Sequence, residues 1–171
     1  MTIDPMKKGA TGSAHCQINC SPSELFDLVS EISNIPRWSP ECTAATWLGG
    51  ASGPAVGAKF RGWNRRRALR WFTVSRVSAL RPDEEFSFIT MVPVWGDFVE
   101  WTYEIAPGDA PDNCTLTQRF TMQRDLPLPL KKLEEYGMGV KDRHSDLTEN
   151  LEACVQRIKV LAEAKIEGTT V

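Results

Sequence analysis

Residues 140–164 read VKDRHSDLTENLEACVQRIKVLAEA, and this stretch decides the fold. It holds neither proline nor glycine, and Leu147, Leu151, Cys154, Ile158 and Leu161 recur at steps of four and three, with Val155 widening the stripe. Such spacing lines up apolar side chains on one face of an α-helix. A helix from Val140 to Ala164 is about 37 Å long at 1.5 Å per residue, enough to cross a six- or seven-stranded sheet. Its stripe must be covered by an apolar surface of comparable length.

The residues before it supply that surface. Six strands are predicted in succession: Thr43–Leu48, Ala58–Arg67, Leu69–Leu80, Glu85–Val94, Asp97–Ala106 and Cys114–Arg124. Turn chemistry separates them, with Gly49-Gly50 to Gly57, Arg81-Pro82-Asp83, Trp95-Gly96 and Pro107-Gly108-Asp109 as the breaks. No helical pattern intervenes, so the strands form an antiparallel meander. Phe86, Phe88, Thr90 and Val92 share one face of their strand, as do Val99, Trp101, Tyr103 and Ile105.

Further out, Ser13–Cys20 alternates as a first strand. Ser21, Pro22 and Glu24 then form an N-cap, first helical position and capping box. That helix buries Leu25, Phe26, Leu28, Val29 and Ile32, and Asn34-Ile-Pro36 breaks it before a short second turn. Residues 125–139 hold a short amphipathic segment, LKKLEEY, between breakers. Residues 1–12 and 166–171 are expected as tails around one domain, 13–165. The resulting fold class is α+β, a curved antiparallel sheet of about seven strands wrapped around a long C-terminal helix, with two short helices after the first strand. A curved sheet cannot touch the helix along its whole length, and the volume left over is a pocket.

Composition narrows the functional classes. The chain has 171 residues, 42% hydrophobic and 25% charged, with a formal net charge of −2. That suits one globular domain and speaks against a general nucleic-acid binder, which needs excess Lys and Arg. No stretch is long and apolar enough to span a bilayer, and MTIDPMKKGATGSAHC lacks the core of a signal peptide, so a cytoplasmic protein is expected. Cys16, Cys20, Cys42, Cys114 and Cys154 are scattered, suggesting reduced thiols and neither a zinc site nor a disulfide framework. No metal and no cofactor is predicted, and the protein is expected to be a monomer or homodimer.

Trp38-Ser-Pro-Glu-Cys42, Trp47-Leu-Gly-Gly50, Pro54-Ala-Val-Gly57-Ala-Lys-Phe-Arg-Gly62, and later Trp71, Val77, Pro82 and Phe86-Ser-Phe88, together resemble the START/polyketide cyclase–dehydrase superfamily. The likeness runs over about residues 13–165 and is nearest to bacterial, especially actinobacterial, members. It implies a helix-grip fold with a ligand cavity between sheet and C-terminal helix. Members bind lipids, sterols, polyketides, quinones or plant hormones; some catalyse ring closure or dehydration, and many only bind.

The candidate site follows from strand faces and the helix stripe. Phe60, Trp71, Phe86, Phe88, Trp101, Tyr103 and Phe120 are candidate aromatic walls, with Leu147 and Leu151 facing them from the helix. Asn64 and Gln118 are the candidate polar ligand contacts, since a polar group on an inward face must find a partner. His144, on or near the helix stripe, is a candidate wall residue and, with Tyr103, a candidate proton-transfer group. Arg61, Arg65 and Arg67 alternate outward with Trp63, whereas Phe60, Gly62, Asn64 and Arg66 alternate inward. Glu41 is a further ionisable candidate, and Glu100 is expected outward. The glycine loop 49–57 reads either as a lid or as a plain turn.

Three functions remain open: a carrier or sensor for an apolar small molecule, a polyketide cyclase/dehydratase-like enzyme using the same cavity, and a protein-interaction module. The absence of a nucleophile–base–orienter set favours the carrier.

Overall fold

The computed structural model of the protein describes residues 6–167, with side chains to Ala164. In chain order the elements are β1 (Thr11–Ile18), α1 (Pro22–Ser30), a 3₁₀ helix (Ile32–Arg37), β2 (Cys42–Trp47), β3 (Lys59–Arg66), β4 (Leu69–Arg81), β5 (Glu85–Val92), β6 (Gly96–Pro107), β7 (Cys114–Met122), α2 (Leu128–Leu133), a π turn (Glu134–Met138) and α3 (Arg143–Glu167). The strands form one antiparallel sheet in the order β1-β7-β6-β5-β4-β3-β2. This is the expected architecture, a meander from β2 to β7 to which β1 is added beside β7.

Each element has a local cause. The Ser21 hydroxyl accepts the Glu24 amide at 3.3 Å and the Glu24 carboxylate accepts the Ser21 amide at 3.1 Å, closing the capping box of α1. Asp142 accepts the Ser145 amide at 3.2 Å, which starts α3 at Arg143 rather than at Val140. Leu151, Val155 and Ile158 are buried along α3, as the stripe requires. Register shifts at Cys42/Ala44, Val77/Ala79 and Thr90/Met91 bend the sheet about the helix. The helix packs on β1 and β7, and the 3₁₀ helix lies against β2.

The expected N-terminal tail needs correction from Met6 onward. Gly9 donates to the Met122 carbonyl and Met122 to the Ala10 carbonyl, both at 2.8 Å, so β1 begins at Thr11 and its pairing with β7 starts earlier than the alternation suggested. Met6 is buried, and the Lys8 amide reaches Asp125 at 2.8 Å. Residues 1–5 and 168–171 of the expected tails lie outside the described residues.

The β5–β6 hairpin carries a strained tip. Val94 has φ +75° and is 97% exposed, and a β-branched residue in the left-handed region is a genuine outlier. Val94→Gly is expected to raise stability by about 0.5–1 kcal/mol in urea denaturation. An unchanged or lower midpoint would mean that the valine is held by contacts its exposure does not show.

Candidate functional site

α3 lies close to β1 and β7, and the inward face of β3–β5 carries small residues where the helix does not reach: Gly62, Thr73, Ser75 and Thr90. The result is a cavity of about 600 Å³ between sheet and helix, within the usual range for small-molecule sites. Its walls are mainly apolar. Phe60 and Phe88 meet edge to face with centroids 5.0 Å apart, Phe88 and Tyr103 are 6.4 Å apart, and Trp71 and Trp101 complete an aromatic frame.

Of the twelve candidate wall and contact residues, nine border this space: Phe60, Asn64, Trp71, Phe88, Trp101, Tyr103, Gln118, Leu147 and Leu151. Phe86, Phe120 and His144 do not, and each has another role. Phe86 is fully buried against Tyr103 and Phe88. Phe120 is fully buried among Gly12, Trp101 and His144. His144 sits edge-on to Phe120, with its Nε2 3.0 Å from the Thr11 carbonyl, tying α3 to β1. It therefore reaches no cavity surface as a proton-transfer group. The glycine loop 49–57 does not border the cavity in this structure.

Few polar atoms face the cavity. Trp38, buried at the end of the 3₁₀ helix, donates from Nε1 to the Tyr103 hydroxyl oxygen at 3.2 Å. Burial pushes the Tyr103 phenol well above its ordinary range, so it stays protonated. Gln118, opposite Tyr103 on the neighbouring strand, is 3% exposed, and its Oε1 has no hydrogen-bond partner. One of the Ser75 and Thr90 hydroxyls donates to the other at 3.1 Å. Asn64 donates to the Gly62 carbonyl at 3.3 Å and to the Thr73 hydroxyl at 3.4 Å.

Sequence reasoning missed an ionic cluster on one wall. Arg143 donates to Glu41 at 3.0 and 3.2 Å and to Asp146 at 2.8 Å, while its Nε lies 3.5 Å from Glu134. Arg66, read as inward by alternation, bridges Asp146 at 2.6 and 2.8 Å and Glu41 at 3.0 Å. Burial pushes Asp146 up, but its bonds to Arg66 and the nearby charges outweigh that and hold the carboxyl below its usual range. Glu134 goes the other way. Burial, with Glu41 and Asp146 nearby, raises it despite Arg143.

A carboxyl raised in the folded state binds more protons folded than unfolded. Its penalty is absent below the unfolded value, grows through the window up to the folded value, and is constant above. Glu134→Gln is therefore expected to match the wild type near pH 4 and to gain on it towards pH 7, measured as the difference in urea midpoints. A difference that is flat with pH would exclude a raised carboxyl.

Exposed wall residues, among them Arg70, Phe72, Pro93 and Leu133, mark the mouth. It is bordered by the β3–β4 hairpin, the β5–β6 hairpin and α2 with its π turn. Arg65, Arg67 and Arg70 on the first and Lys131 and Lys132 on the last are exposed and, among the described residues, make no ion pair. Arg61, outward as expected, stacks on Trp63 and Phe72 at 5.6 and 5.3 Å. Arg67 departs from the outer face expected of it, since its guanidinium lies against Gly139. The five cysteines are free thiols, three buried and two half-buried. Among the described residues no cluster of His, Cys, Asp and Glu is arranged to hold a metal, and no helix is long and apolar enough to cross a membrane.

A bent antiparallel sheet gripping a long helix across an apolar cavity defines a helix-grip, START-like protein. The chain belongs to the family described as polyketide cyclase / dehydrase and lipid transport, whose profile matches residues 10–159. No curated protein matches it. Among solved structures, a polyketide-cyclase-like protein of Corynebacterium glutamicum is 23% identical, with a TM-score of 0.61 over 95% of this chain and 97% of that one. A START superfamily protein of Mycobacterium smegmatis is 20% identical, with a TM-score of 0.55 over 86% of this chain and 98% of that one. The di-domain ARO/CYC StfQ of the steffimycin biosynthetic pathway is 15% identical, with a TM-score of 0.65 over 92% of this chain and 51% of that one. At these identities the likeness is one of fold.

Proposed function

We propose that the protein binds a neutral, apolar small molecule in the cavity between sheet and α3, as its carrier or sensor. The observation that carries this reading is the cavity itself, about 600 Å³ with an aromatic frame and few polar groups. Of the ionisable side chains on its wall, Glu41, Glu134 and Arg143 are tied to one another and to Arg66 and Asp146, and Arg70 lies at the mouth. A filled core would suit an interaction module better, so that reading ranks last.

The test is native mass spectrometry of the purified protein, followed by denaturing extraction and identification of what was bound. A near-stoichiometric lipid, quinone or polyketide is expected. An empty protein that also gains no thermal stability from a panel of apolar ligands counts against the reading.

A second reading, a cyclase/dehydratase-like enzyme, rests on one observation: Tyr103 and Glu134 both border the cavity and both have raised proton affinity. The likeness to an ARO/CYC protein adds only a prior. Tyr103→Phe and Glu134→Gln separate the two readings. Retained binding with lost product formation on an extracted polyketide would favour the enzyme.

A further inference from the structure

We infer that the ligand carries a carbonyl-type acceptor and, on the same end, a hydroxyl, read by Tyr103 and Gln118 respectively. This rests on the ligand-binding reading above and narrows it.

Tyr103 and Gln118 are cross-strand partners on β6 and β7, and both border the cavity. Side chains directly opposite on one sheet face have Cβ atoms about 5 Å apart, so one end of a small molecule meets both. Their unmet needs differ. Tyr103 accepts the Trp38 indole N–H, which leaves its own proton to donate, and among the described residues no acceptor takes it. It is therefore a donor aimed at a ligand oxygen.

Gln118 presents a different need. Its Oε1 is buried without a donor although the residue is 3% exposed. Burying an amide oxygen unpaired is costly, and native proteins rarely do it. No side-chain or backbone donor among the described residues serves it. A ligand made only of hydrocarbon, or one whose oxygens are all acceptors, leaves this orphan unpaired. A ligand hydroxyl meets it once the amide turns its oxygen to the cavity that Gln118 borders. Because a hydroxyl both donates and accepts, it also completes the pairing of a group that itself offers an acceptor beside two donors. The aromatic frame of Phe60, Phe88, Trp71 and Trp101 then takes the flat apolar remainder.

The experiment uses four rigid probes of one shape: fluorene, fluorenone, 2-methoxyfluorenone and 2-hydroxyfluorenone. Their dissociation constants are measured by isothermal titration on the intact protein and on Tyr103→Phe, Gln118→Met and Gln118→Leu. The wild type is expected to bind 2-hydroxyfluorenone about tenfold more tightly than its methoxy analogue, the order of one well-made hydrogen bond. Gln118→Met keeps the length of the side chain and is expected to erase that preference while holding fluorenone within about twofold. Tyr103→Phe is expected to weaken all three ketones alike and to leave fluorene unchanged.

A hydroxyl preference that is absent in the wild type, or that survives in a folded Gln118 variant, overturns the inference. If fluorene and fluorenone bind and the hydroxyl adds nothing, only the polar recognition falls. If none of the four binds or raises the melting temperature, the cavity reading itself falls with it.

Discussion

Arg143→Ala is expected to lower the unfolding free energy by about 3–5 kcal/mol. The Arg143 side chain is 13% exposed and meets Glu41, Glu134 and Asp146. Taking it away leaves three largely buried carboxylates facing Arg66 alone. The loss comes mainly from those uncompensated charges rather than from the bonds removed. The deficit should therefore shrink on acidification. Arg143 is what opposes the burial of Glu134, so without it that carboxyl rises further above its unfolded value, and the variant takes up a proton as it folds and regains stability as pH falls from about 7 towards 4. Arg143→Lys should recover little, since an ammonium cannot fork between two carboxylates. Urea titrations of the three proteins at several pH values give the answer. A loss below about 1 kcal/mol, independent of pH, would place the cluster with exposed ion pairs of small consequence.

The second large effect is steric. Gly12 lies opposite Phe120 in the β1–β7 pairing, and a Cβ there would fall 2.6 Å from Phe120 Cε1 and 2.9 Å from Thr148 Oγ1. Phe120 is fully buried and wedged against Trp101 and His144, so it has little room to yield. Gly12→Ala is expected to cost about 1–3 kcal/mol. Phe120→Leu alone destabilises by opening a void, and the double variant should lose clearly less than the sum, because the new methyl enters the space the ring leaves. Additive losses would show that the alanine strains the backbone instead of the ring. Neither change should alter ligand binding, because Phe120 lies outside the cavity wall.

Much of the architecture was legible because two periods coexist in one chain. The stripe from Leu147 to Ile158 and the alternation in β5 and β6 each name a buried face. Opposed faces in an α+β order leave few packings. Asn64 and Gln118 were legible for the same reason, as polar residues in phase with apolar neighbours. Phe86 and Phe120 show where the reasoning stops. Strand periodicity reports which face a residue takes, but not how far along that face the cavity extends. His144 marks the corresponding limit for a helix. The wheel placed it beside the stripe without telling whether that flank met β1 or the cavity. Beyond the Arg143–Asp146 pair, three residues apart on one helix, the ionic cluster had no local signal, since Arg66 meets Glu41 across 25 positions and Asp146 across 80, and Arg143 meets Glu41 across 102. Tyr103 was read as a wall residue, but the indole that fixes its hydroxyl comes from a short 3₁₀ helix that sequence gave only as a broken turn.

The cations around the mouth bear on how the molecule moves. The chain has a net charge of −2, yet Arg65, Arg67, Arg70, Lys131 and Lys132 gather on one side, with Glu135 the exposed carboxylate among them. Positive charge is thus gathered at the mouth of a molecule that is negative as a whole. At physiological ionic strength its field reaches about 8 Å before salt screens it, so it exerts a torque only in the last moments of an encounter. Within that distance these cations favour approach of the mouth to a negatively charged surface.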